Sequence, residues 1–162
     1  MVLISLPVNW PGKRWLPAGD PLPRTAERRI IKNVLRPAKP KQKPPHSFVL
    51  EALAPLNPEV RRMFSGFAVY LGDLLVLMLR ETDKSVKDNG VWIVLSESTN
   101  PDDKKLRREF PSLRRIELLR SKIGHWLLIP SDGPDFETEA LRACELLLRR
   151  DPRLGRVPLS RR

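Results

Sequence analysis

The chain has 162 residues, room for one domain plus a tail, and 30 Lys and Arg against 19 Asp and Glu give it a net charge of +11. Hydrophobic residues at 41% suffice for one core and exclude a wholly disordered or collagen-like chain, while the single cysteine, Cys144, excludes a disulfide scaffold and fits a reducing cytoplasm. No apolar run approaches the roughly 20 residues of a membrane-spanning helix, and the first ten residues lack the charged start of a secretory signal.

Residues 1–45 hold nine of the seventeen prolines, and ten Lys and Arg against Asp20 and Glu27. Proline at that density blocks helix interiors and sheet ladders, so a basic leader outside the fold is expected, with residues 36–45 as a polyproline-like linker. One short helix is predicted over 26–35: Thr25 precedes it, Ala26, Ile30, Ile31, Val34 and Leu35 recur at helical spacing, and Pro37 stops it.

From His46 the pattern becomes globular, and a domain is predicted over 46–152. Ser47 caps a helix whose apolar positions are Phe48, Val49, Ala52, Leu53 and Leu56, ended by Asn57-Pro58. Two apolar runs follow, 60–71 and 74–79, joined at Gly72-Asp73 as a hairpin; Met63 and Phe64 fall on opposite faces of the first strand, one of them in the core. Residues 91–95 form a β-branched and aromatic third strand. Asn100 caps a second helix, with Pro101 at its first position, Asp102 and Asp103 in its first turn, and Leu106 and Phe110 as its apolar stripe. Residues 113–119 and 123–129 read as two more strands. A last helix starts at Asp132 or Asp135, carries Phe136, Ala140, Ala143, Cys144, Leu147 and Leu148 on one side, and ends at Asp151-Pro152. Residues 153–162 have no periodicity and read as a loose basic tail. The order helix, three strands, helix, two strands, helix predicts a two-layer α+β domain with an antiparallel sheet and helices on one face.

Chemistry-bearing patterns are scarce. His46, His125 and Cys144 are too dispersed for a zinc site, so no metal and no cofactor is expected. Gly66 and Gly72 fit no phosphate-loop or dinucleotide fingerprint, and no nucleophile elbow is present. Cys144 lies mid-helix between apolar neighbours, which favours a buried inert thiol over a nucleophile paired with His125. No catalytic residue, and no enzyme, is expected. The basicity favours phosphate contact, but it concentrates in the Pro-rich leader, and the ten aromatics form no stacking ladder, so a nucleic-acid-binding module working through leader and tail is the alternative.

The strands point instead to protein contact. Residues 74–79 and 91–95 are apolar without alternation, so both faces of those strands need cover. With helices on one face, the other is expected to meet a protein partner or a second copy in a homodimer, with Leu75, Leu77, Leu79 and Trp92 as candidate interface residues and the leader helix at Ile30, Ile31, Val34 and Leu35 as the intramolecular competitor.

One segment carries a resemblance. Arg61-Arg62-Met63-Phe64-Ser65-Gly66-Phe67-Ala68-Val69-Tyr70-Leu71-Gly72 resembles the R-x-M-F-(G)-G-x-x-x-Y hairpin that opens the TfoX N-terminal-domain family, and the element order over about 46–150 is similar. The matching positions are Arg62, Met63, Phe64, Gly66, Tyr70 and Gly72, with Ser65 where glycine is usual. The resemblance implies a two-layer fold of the secretion-chaperone-like or YjbR-like kind, no catalytic residues, and a regulatory role through other proteins in a bacterial cytoplasm. The competence regulators of the family add a second, C-terminal domain for which this chain is expected to be too short, and the stretch from Gly124-His125-Trp126-Leu127-Leu128-Ile129-Pro130 through Ala143-Cys144-Glu145-Leu146 resembles a solitary-domain subgroup of unknown function. The expected function is therefore a non-catalytic regulatory or protein-interaction domain.

Overall fold

The computed structural model describes residues 42–119 and 124–161, within a unit that runs Gln42–Arg162. The leader over 1–41, with its expected helix at 26–35, lies outside the described residues, as do residues 120–123. Among the described residues the chain is an α+β fold, with a six-stranded antiparallel sheet and three α-helices.

Helix α1, Ser47–Leu53, starts one residue earlier than Ser47 as cap predicts. His46 takes that place in the left-handed region (φ 56°), and no side chain caps the helix. A 3₁₀ turn, Ala54–Leu56, continues it until Asn57, also left-handed, turns the chain away. Strand β1, Glu59–Met63, and strand β2, Gly66–Leu71, replace the single strand expected over 60–71. Their register pairs Met63 with Gly66, leaving a two-residue turn at Phe64-Ser65. Strand β3, Leu74–Arg80, follows the expected turn at Gly72-Asp73, where Gly72 has φ +61°. Strand β4 is Gly90–Val94.

Helix α2, Lys104–Glu109, begins later than the Asn100-Pro101 signal predicts. The Asn100 side chain accepts the Asp102 N–H at 2.9 Å and closes a turn of its own. Asp103 is the cap, accepting the N–H groups of Lys105 (2.7 Å) and Leu106 (3.3 Å) that the helix leaves orphaned. Of the last two expected strands, β5 is only Arg114–Arg115 and β6 is Trp126–Pro130. Helix α3 is Phe136–Leu148; Ala140, Ala143, Cys144 and Leu147 are buried on it, while Leu148 is exposed. Strand order is β1-β2-β3-β4-β6-β5.

Alternate strand residues sort into separate clusters. Val69, Leu77, Leu79, Val91, Ile93, Leu127 and Ile129 share one core with Val49 and Leu53 of α1, Leu106 of α2 and the buried side chains of α3. Ala68, Tyr70, Leu75 and Val94 form a second cluster, and Met78, Trp92, Ile116 and Leu128 a third; Met63 and Trp126 pack against both. The sequence expectation of one Leu75-Leu77-Leu79 side fails at a bulge. Val69 pairs with Leu77 but Tyr70 with Leu75, so Val76 is the extra residue and the alternation reverses across it.

The tail also departs from expectation. At the far end of β3, where pairing with β4 stops at Leu77, residues 153–156 fill the gap. Leu75 pairs with Arg156 and Leu95 with Leu154, and the Gly155 N–H donates to the Val94 carbonyl at 2.8 Å. Leu154 is buried in the main core. The segment lacks periodicity because its ladder alternates between two strands, which no local pattern reports.

Candidate functional site

The β1–β2 hairpin carries the family-like residues, and its local chemistry separates those that build the fold from those that do not. Gly66 is structural. A Cβ there would stand 2.7 Å from the Leu79 carbonyl oxygen and 2.8 Å from Met78 Cε, so only glycine lets β2 lie this close to β3. Gly72 supplies the positive φ of the next turn. Tyr70 is buried in the second cluster, with the Arg61 guanidinium 5.4 Å from its ring centroid. Met63 is half-buried against the second and third clusters, so it packs on the sheet face away from the helix core.

Phe64 behaves differently. It occupies the first turn position at φ 52°, where a hairpin of this length favours glycine, and it is 85% exposed. The expectation that either Met63 or Phe64 enters the helix-side core is therefore corrected. A bulky left-handed residue costs about 1–2 kcal/mol, and an exposed phenyl ring returns nothing to the fold. Beside it, Arg62 lies exposed with its guanidinium 5.9 Å from the Phe67 ring.

Beneath the turn sits Arg80, 2% exposed. Its Nε donates to Ser65 Oγ (2.9 Å), Nη1 to the Ser85 carbonyl (3.0 Å) and Asn89 Oδ1 (3.3 Å), and Nη2 to the Lys84 carbonyl (3.1 Å). Its guanidinium also faces Trp92 at 5.7 Å. Every acceptor is neutral, and among the described residues no carboxylate pairs with it. Asn89 extends the network by receiving the Thr82 N–H and donating to the Thr82 carbonyl. Arg80 thus holds the 81–89 loop and the Phe64-Ser65 turn together. Nothing in the sequence separates it from a solvated arginine at a loop start: it ends an apolar run and precedes an acid. A cleft of about 270 Å³ opens beside this network, with Lys43, Arg62, Ser65, Phe67 and Glu81 in its wall.

Of the other buried polar groups, His125 Nδ1 has no hydrogen-bond partner among the described residues, and the carboxylates of Asp88 and Glu139 are occupied. Asp88, 1% exposed, accepts the N–H groups of Glu117 (3.0 Å) and Leu118 (2.8 Å) and faces Arg114 at 3.5 Å, while Trp92 Nε1 donates to its carbonyl. Glu139 accepts Ser112 N–H (3.1 Å) and Oγ–H (2.6 Å). Cys144 is buried, its Sγ 3.8 Å from the Val49 carbonyl, and burial pushes its thiol up to about 11. That environment disfavours the thiolate a nucleophile needs, and the Cys144 thiol's hydrogen bond goes to the Val49 carbonyl rather than to His125.

The candidate interface residues do not form one surface. Leu77 and Leu79 are fully buried in the helix-side core; Leu75 and Trp92 are 6% and 4% exposed in the two other clusters. Trp92 is held by its Nε1 bond and by Trp126, edge-on at 6.0 Å. Among the described residues no cluster of His, Cys, Asp or Glu is placed to hold a metal ion, and no helix is long and apolar enough to cross a membrane.

Comparison with family models, with curated proteins and with solved structures returned no match.

Proposed function

We propose that this chain is a non-catalytic protein-interaction domain of the TfoX N-terminal kind, a two-layer, secretion-chaperone-like or YjbR-like fold that acts in the cytoplasm and presents its first hairpin to a protein partner. The observation that carries the reading is Phe64: a phenylalanine in left-handed backbone, 85% exposed, at the tip of an edge strand that also bears the exposed Arg61 and Arg62. Aromatic and arginine side chains dominate the binding energy of protein interfaces, and a strained exposed aromatic is what the fold alone would not favour. The hairpin register, with Gly66 and Gly72 at positions that need glycine, supports the family reading. The lone buried thiol supports a reducing compartment.

The test is site-specific crosslinking in cells with benzoylphenylalanine at position 64, and at exposed Val86 as control. One discrete protein adduct at 64, lost with Arg62→Glu, is the expected result. That protein, once purified, should bind Phe64→Ala about tenfold or more weakly, as hot-spot truncation does. No position-specific adduct, together with retention on random duplex DNA that falls steeply with salt, would replace this reading by nucleic-acid binding.

A further inference from the structure

We propose that the cleft beside the Phe64-Ser65 turn is an oxyanion site that takes a phosphoryl group. Its donors are the Ser65 hydroxyl, the Arg62 guanidinium and the Lys43 ammonium, and Arg80 is the fixed positive charge behind Ser65. The inference does not depend on the partner reading, because its test uses small phosphoryl compounds and no protein partner.

The hydrogen-bond direction at Ser65 is the first support. Arg80 Nε has only a hydrogen to give, so Ser65 Oγ accepts in the 2.9 Å bond, and its own hydrogen is free of that bond. Ser65 is exposed and lines the cleft, and among the described residues its Oγ makes no second hydrogen bond. A hydroxyl that accepts from a cation is also a stronger donor outward, since chained hydrogen bonds polarise one another. The second support is charge. Arg80 is 2% exposed and bonded only to neutral oxygens, so its field is uncompensated among the described residues and reaches the cleft through Ser65. Lys43 and Arg62 are both exposed cations of the same wall, against one acid, Glu81. A guanidinium, an ammonium and a hydroxyl offer several separate donors, which suits a multi-oxygen dianion better than a planar carboxylate. A volume of about 270 Å³ admits a phosphate with part of its hydration.

The experiment titrates the 15N-labelled full chain with sodium phosphate at fixed ionic strength, chloride being exchanged, while the amides of Ser65, Gly66 and Phe67 are followed. N-acetyl-phosphoserine and acetate are parallel arms. Saturable shifts with phosphate or phosphoserine, and not with acetate, are expected. Response to both says that the phosphoryl group alone suffices; response to phosphoserine only says that its source is a phosphorylated side chain. Ser65→Ala, which leaves Arg80 Nε without its acceptor, and the surface changes Arg62→Gln and Lys43→Gln should each weaken binding about tenfold, and Glu81→Gln should strengthen it. Shifts that stay linear, that acetate reproduces, or that persist unchanged in both Arg62→Gln and Lys43→Gln overturn the proposal.

Discussion

Leu75 and Arg156 exchange both backbone hydrogen bonds, the Leu75 N–H reaching the Arg156 carbonyl at 2.9 Å and the Arg156 N–H the Leu75 carbonyl at 3.0 Å. The pair sits where β3 has bulged at Val76 and parted from β4. The chain after α3 thereby closes a split in the sheet, and Gly155 is suited to the place: its φ is +95°, and a Cβ there would press on Val76 Cγ1 at 3.2 Å. Leu154, 5% exposed, anchors the stitch in the core, so Leu154→Ala should destabilise the domain by about 2–5 kcal/mol in urea unfolding. A change under about 0.5 kcal/mol, the range of ordinary surface substitutions, would show that residues 153–156 are an appendage.

The same stitch is fixed by charge. Arg153 bonds Asp151 through Nε and Nη2 and reaches Glu109 at 2.9 Å, tying the segment to α2. The hydrogen bond from Arg153 holds the Asp151 carboxyl below its ordinary value, and the same contact raises Arg153. A depressed carboxyl adds stability above its unfolded value and loses it as pH falls through the folded one. The urea midpoint should therefore fall as pH drops below about 4, and Asp151→Asn should flatten part of that slope. An identical acid slope in wild type and Asp151→Asn would mean that the pair contributes nothing to folding.

Much of the fold is legible in the residues, and the failures have particular causes. The Gly72-Asp73 hairpin, the strand at 91–95 and the apolar stripe of α3 follow from turn chemistry and periodicity, and the structure has them. The turn at Phe64-Ser65 was illegible because it places phenylalanine where hairpins favour glycine, so an apolar run of two strands reads as one. The break in the expected Leu75-Leu77-Leu79 face was illegible because a bulge has no composition signal. The uninterrupted apolar strands did report burial on both faces, but Ile116, Leu119, Trp126 and Met63 pack there, from segments that sequence separation hides. Arg80 needed the folded loop before its role could be seen.

Cys144 should resist alkylation. With its thiol raised to about 11, the thiolate fraction at pH 8 is on the order of one in a thousand, and the side chain is buried. Iodoacetamide at pH 8 should label the native protein negligibly over an hour and label it fully in denaturant. Rapid stoichiometric labelling of the native state would reopen a nucleophilic role for this cysteine.

Gly66→Ala should be among the more damaging small substitutions. The added methyl meets the Leu79 carbonyl oxygen at 2.7 Å, a backbone atom of a paired strand that cannot step aside. Moving β2 away from β3 would disturb the Ala68–Met78 and Phe67–Leu79 pairs, and the expected loss is about 1–3 kcal/mol. Gly124→Ala, where a Cβ would meet nothing within 4 Å, is the control and should be near neutral. Equal effects at both positions would refute the close-approach account.

Phe64 separates folding from binding most cleanly. Asparagine tolerates the left-handed region far better than phenylalanine and lacks glycine's extra unfolded-state freedom. Phe64 is 85% exposed, so its ring contributes little to burial. Phe64→Asn should therefore raise the stability of the domain, by up to about 1 kcal/mol, while removing the ring proposed to meet a partner. Met63→Ala is the opposite case: Met63 packs against the two clusters beneath it, and its loss should lower the urea midpoint. The two neighbours then give opposite signs, one stabilised and unable to bind, the other weakened in the fold. If Phe64→Asn instead lowers the midpoint, the ring packs on this same chain in solution, and the hairpin tip loses its claim to be a contact surface.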